Sequence, residues 1–184
     1  QETQTPIPEI EKAIELALRR LTFNGIILSD YDKGVLTPDS IAFFREIESD
    51  IPIVVDPKHR NFWEYYGFTA ITPNLAEALK ATEVTDYRLA CEQIQRMLNP
   101  KQLLLKRGER GMVLIEGEHI YEIPAHHVEV ADVTGAGDTV IATYTLGLVS
   151  GLTALESAKL ANLAASISVQ HHGCYHIKAE ELNS

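Results

Sequence analysis

Four short apolar runs constrain this chain most: GIILSD at 25–30, PIVVDP at 52–57, TAITPN at 69–74 and QLLLKRG at 102–108, separated by segments of helical periodicity. A run of that length that is apolar at consecutive positions reads as a strand covered on both faces, and its polar end marks where it reaches solvent. Helical spacing fills the gaps. Ile10, Ala13, Ile14, Ala17, Leu18 and Leu21 make one apolar stripe over 9–21. Thr37-Pro38 opens a second helix carrying Ile41, Phe44 and Ile47, with Pro38 in the first turn where its missing N–H costs nothing. Further helices are predicted from Asn74 through LAEALKAT, over 86–98, 135–149 and 153–170. GMVLIEGEHIYEI, with Gly117 at its tip, predicts a β-hairpin. Strands alternating with helices imply an α/β fold: one mostly parallel sheet, helices on both faces and antiparallel strands at one edge. Residues 1–184 are expected to form a single domain.

In an open α/β sheet the carboxyl ends of the strands are where ligands bind, and polar residues gather there. The first strand ends in Asp30, Tyr31, Asp32 and Lys33, the second in Asp56 and Lys58, the third in Asn74 with Glu77 one turn on, the fourth in Lys106, Arg107 and Gly108. Each taken singly also fits a solvated loop or a helix cap. The sharpest signal is DVTGAGD at 132–138, directly before the apolar run TVIATYTLGLV. Small residues at a helix start leave backbone N–H groups uncovered, and the helix dipole adds partial positive charge, so the site suits phosphate. Asp138 beside such a site would repel the ligand unless it takes a proton from the hydroxyl attacking the phosphate. The alternative, a Gly-rich loop with an ordinary first-turn Asp, stays open on spacing alone.

DVTGAGDT resembles the signature of the ribokinase-like, or PfkB-type, carbohydrate kinases, and the other motifs keep that family's order along essentially the whole chain. LSDYDKGVL, VVDPKHRNF, ITPNLAEA and ANLAASISVQHHG are most similar to the kinase domain of the bacterial heptose-7-phosphate kinases, which serve ADP-heptose synthesis for lipopolysaccharide. The resemblance implies a Rossmann-type three-layer sandwich. It implies ATP as phosphoryl donor, with Asp138 as catalytic base and the amides of Gly135, Ala136 and Gly137 as an anion hole. Asn74 and Glu77 match the N-x-x-E motif that organises Mg²⁺ and phosphate, generally through water, so Glu77 is the expected metal-side residue. Lys106, Gly108 and Thr134 fall on the nucleotide side, Asn162 near the base, Asp30 and Lys33 on the acceptor side, and Lys58 where it could offset phosphate charge. A monovalent cation is a further ligand the resemblance allows.

The family also begins with a strand-rich, sugar-gripping region and a β-sheet lid that these residues do not match. The polar, proline-punctuated start QETQTPIPE, without methionine, reads as the interior of a longer protein. The expectation is therefore a C-terminal ATP-binding portion that binds nucleotide yet turns over slowly or not at all by itself. Other acceptors (ribose, fructose, a nucleoside) and a non-catalytic nucleotide-binding module remain alternatives. Relatives dimerise through the lid, so a homodimer is an option for a full-length protein only.

The net charge of −10 argues against a broad basic surface for nucleic acid or acidic lipid. No membrane span or signal pattern is present in these residues, and Cys91 and Cys174 do not make a disulfide framework, so a cytoplasmic protein is expected. His171, His172, Cys174 and His176 read as a helix end turning at Gly173 rather than as a metal site, His126 and His127 as loop residues, and the aromatics from Phe62 to Phe68 as packing rather than base stacking.

Overall fold

A computed structural model describes residues 8–20, 22–47 and 51–183. Its strands are β1 (Ile26–Ser29), β2 (Ile53–Asp56), β3 (Ala70–Ile71), β4 (Gln102–Lys106), β5 (Met112–Glu116) and β6 (His119–Ile123). They form one sheet in the order of the chain, with β1 to β4 parallel and β5 and β6 antiparallel at one edge. The helices are α1 (Pro8–Arg20), α2 (Pro38–Arg45), α3 (Leu75–Thr82), α4 (Tyr87–Leu98), α5 (Ala136–Val149) and α6 (Ala154–Ser168).

The period-2 geometry of the strands divides the core into two layers. On β4, Leu103 and Leu105 point into one cluster with Ile41, Ala78, Ile94 and Leu98, while Leu104 points into the other with Val140, Tyr144, Ala158 and Ala161. One face therefore rests on α2, α3 and α4, and the other on α5 and α6. Phe62, Tyr65 and Phe68 are buried in the first cluster, whereas Tyr66 is exposed and carries the Arg45 guanidinium on its ring.

Local chemistry sets most of the helix starts. Thr37 with Ser40, Asn74 with Glu77, and Thr153 with Glu156 form reciprocal capping boxes, and Asp86 caps α4 alone. Three expectations are corrected. β3 keeps only two residues of TAITPN, because Pro73 has no N–H to offer; a single bridge, Asn74 to Lys106, resumes the pairing beyond it. α6 stops two residues before Gln170, and the Val169 carbonyl instead accepts the N–H groups of Ala131 and Asp132 at 2.8 and 3.1 Å. The stripe of α1 is narrower than its periodicity suggests: Ile14 and Leu18 pack on the core while Ala13 and Ala17 are exposed. The expected contributions of the Ile10 side chain and of Leu21, and the segment 1–7, lie outside the described residues.

Candidate active site at the carboxyl ends of the strands

The parallel strands deliver Asp30, Asp56, Asn74 and Lys106 to one rim of the sheet, and the first turn of α5 lies over it. Asp56, at the end of β2 and buried, organises the centre. Its carboxylate takes the Lys106 ammonium at 2.5 Å and stands 3.6 Å from that of Lys58. Lys58 also pairs with Glu77, whose other oxygen accepts the Asn74 N–H at 2.8 Å within the capping box. Two ammonium groups and two carboxylates thus alternate across three strand ends. Burial by itself would pull the Lys58 ammonium down, but its hydrogen bond to Glu77 and the charge of Asp56 outweigh that and hold it above the usual lysine range.

Lys106 also meets the glycine turn: a Cβ built on Gly137 would lie 3.7 Å from its Nζ. Gly135, at φ +76°, caps α5 in the left-handed region, and a Cβ there would approach the Cys174 sulfur at 3.3 Å. Glycine adopts that conformation without the strain a side chain would bring. The Ala136 N–H donates to Val133 O at 3.2 Å and so closes the turn. Of the expected trio of amides, Gly135, Ala136 and Gly137, the Ala136 N–H is therefore the one already engaged within the turn. Among the described residues the N–H groups of Gly135, Gly137 and Asp138 have no acceptor, and all three belong to the cap and first turn of α5.

Asp132 fixes the turn from below. Its carboxylate accepts the Gly173 N–H at 2.9 Å, the Thr134 N–H at 2.9 Å and the Thr134 hydroxyl at 2.7 Å. Those donors, Gly173 first, hold its carboxyl down at about 2. Thr134 therefore shapes the turn with its side chain engaged. Asp138 is exposed, and one of its oxygens accepts the Tyr31 hydroxyl at 2.9 Å.

Other residues singled out in the sequence have partners or exposure of their own. Asp30 is turned inward, 3% exposed, and accepts hydrogen bonds from Tyr65, Asn61 and the Asp32 N–H. Lys33 is exposed on the following loop. Asn162 is buried and donates to Pro124 O at 2.8 Å, which fastens the segment after β6 to α6. Gly108 is exposed at φ +59° and starts a tight turn closed by Gly111 N–H to its carbonyl at 2.9 Å. Gly111 is the glycine that this turn cannot replace, because a Cβ would fall 2.0 Å from Ile123 O. His126 and His127 are exposed on an irregular segment, and His171 stacks on Tyr175.

Sequence reasoning passed over Tyr31, Asp132 and Gly111 as individuals and left Asp56 without a role. Only Asp132 carried a usable signal, an Asp two residues before Thr in a turn, the pattern of an Asx turn.

The fold is an α/β protein with a doubly covered sheet, whose rim joins a lysine–carboxylate cluster to a glycine-opened helix start followed by Asp138. Residues 41–181 match the pfkB family carbohydrate kinase model, and the chain belongs to that family. Its similar relatives include two proteins named bifunctional protein HldE. The one from Caulobacter sp. (strain K31) is 43% identical over 166 residues, covering 85% of this chain and 34% of the relative. The one from Geobacter sulfurreducens is 41% identical over 170 residues, covering 87% and 34%. The chain thus spans about a third of the length of these relatives. Among solved structures, phosphofructokinase-2 from Escherichia coli in complex with potassium superimposes with a TM-score of 0.84 at 16% identity, over 97% of this chain and 61% of that one. Ribokinase from Thermotoga maritima gives 0.70 at 20% identity, over 86% and 55%. At such identities the likeness is one of fold.

Proposed function

We propose that residues 1–184 are the C-terminal, ATP-binding portion of a carbohydrate kinase that moves the γ-phosphoryl group of ATP to a sugar hydroxyl, with heptose 7-phosphate the favoured acceptor. The observation that carries this reading is the placement of the Asp138 carboxylate next to unoccupied amides at the start of α5, with Lys106 alongside. The acceptor is favoured by the motifs LSDYDKGVL and VVDPKHRNF and by relatives about 40% identical.

In this mechanism Asp138 accepts the acceptor's proton as its oxygen bonds to the γ-phosphorus, and the bond from phosphorus to the bridging oxygen of ADP breaks. The amides of Gly135, Gly137 and Asp138 stabilise charge on the transferring group without reorganising, which is worth most where water is scarce. Lys106, held by Asp56, supplies a fixed positive charge beneath the turn. The donor set fits a divalent ion bound through water: Glu77 and Asp56 are two neighbouring carboxylates, and among the described residues no third ligand closes a protein-only site. Mg²⁺ entering with the nucleotide would be held from Glu77 through water and would neutralise phosphate charge. The solved potassium complex of E. coli phosphofructokinase-2 makes a monovalent cation a sensible addition to any assay. A cytoplasmic location belongs to the same proposal, since ATP is the donor; among the described residues no helix is long and apolar enough to cross a membrane.

A second reading, nucleotide binding without turnover in this chain alone, is favoured by one observation: Asp138 is open to solvent. Replacing Asp138 by Asn tests the first reading in the longest form of the protein that turns over. Calorimetric affinity for MgATP should be kept, while phosphoryl transfer to heptose 7-phosphate should fall by about 10² or more. Unchanged turnover would remove Asp138 from the mechanism.

A further inference from the structure

We propose that Tyr31 is a positioning residue for the Asp138 carboxylate, its hydroxyl holding one carboxylate oxygen so that the other is left to face the acceptor hydroxyl. The inference rests on the reading of Asp138 as the base. The contact itself is direct, Tyr31 Oη to Asp138 Oδ1 at 2.9 Å, between side chains 107 positions apart.

What makes it more than a chance surface contact is the way the loop behind it is built. Asp30 is buried and spends one oxygen on the Tyr65 hydroxyl (2.7 Å) and the Asn61 side-chain N–H (3.2 Å), and the other on the Asp32 N–H (2.8 Å). Asn61 also donates to Leu36 O at 2.8 Å, so the far end of the loop is tied to the same centre. Burial, and then the Asp30 carboxylate, push the Tyr65 hydroxyl upward, so it stays a donor across the working pH range. Asp32 adopts φ +55°, turning the chain directly after Tyr31. With Asp30 pulled inward and Asp32 turned back, Tyr31 is the residue left projecting over the rim, 57% exposed, with its ring reaching the first turn of α5.

An exposed aspartate has a broad, roughly two-fold torsion at its carboxyl group. A donor fixed to one oxygen removes that freedom and costs little, since a tyrosine has few torsions to freeze. The second oxygen has no protein donor among the described residues, so it is the one available to the acceptor. Tyr31 keeps its own proton throughout; it orients the base and does not replace it.

Tyr31→Phe removes only the hydroxyl. With MgATP and heptose 7-phosphate, in a form of the protein that turns over, kcat should fall about tenfold while KM for ATP and the thermal midpoint stay put. In an Asp138→Asn background the same change should have no further effect on the residual rate. Within the 184-residue chain alone, a ¹³C-labelled Asp138 carboxyl resonance should move on Tyr31→Phe while that of Asp132 does not. Undiminished kcat, or an equal fall in the Asp138→Asn background, or an unmoved Asp138 resonance would each overturn the Tyr31 proposal with the base intact. Full turnover in Asp138→Asn itself would instead overturn the reading of Asp138, and the role of Tyr31 with it.

Discussion

At the scale of single residues the glycine turn concentrates the chemistry. Gly135 combines a left-handed backbone with a sulfur atom 3.3 Å from any added Cβ. Gly135→Val should weaken MgATP binding at least tenfold in calorimetry, because a branched side chain opposes φ +76° by roughly 1–2 kcal/mol and crowds the amides. An unaltered affinity would place the phosphate elsewhere. The motif around Gly135 was readable from sequence because its geometry is local: glycine spacing, helix start and following carboxylate all lie within one turn. Tyr31 and Asp56 were not readable in the same way. Their partners, Asp138 and Lys106, stand 107 and 50 positions away, and only strand order brings them together. Asp30 shows the opposite case, since its charge drew attention while its burial gives it to the loop.

Helices and strands were legible where pattern or cap is decisive and misread where neighbours decide. The helix starts at Thr37, Asn74 and Thr153 were legible in sequence, and in the fold each is fixed by a capping box. The end of α6 depends on Val169 O being claimed by the distant segment at 131–132, which no local signal announces. The alternation on β4 carries an energetic expectation: Leu104 is fully buried against α5 and α6, so Leu104→Ala should cost about 2–5 kcal/mol in urea unfolding. A loss under 1 kcal/mol would mean that face is loosely packed. Asp132 ties α5's approach to the segment after α6. Its carboxyl is depressed to about 2, below the unfolded value of about 3.9. A depressed acid stabilises above its unfolded value and loses that contribution as pH falls through its folded one. Amide protection at Gly173 and Thr134, after correction for the intrinsic exchange rate at each pH, should therefore hold at pH 5 and fall between about pH 4 and 2. Asp132→Asn should abolish that acid dependence; an equal loss of protection in the variant would assign it to another group.

Across the whole molecule the site exists because every strand of the parallel set points its carboxyl end to one rim, and the sheet follows chain order without a reversal. The same order has a consequence for synthesis. All six strands leave the ribosome before α5 and α6, yet among the described residues it is those two helices that cover the face carrying Val54, Ala70, Leu104 and Leu114. At roughly 5–20 residues per second, that face waits seconds for these two helices on a nascent chain. During that interval it is a surface for chaperones or for other nascent sheets, and the glycine turn is where the chain bends into the first of the two helices that cover it.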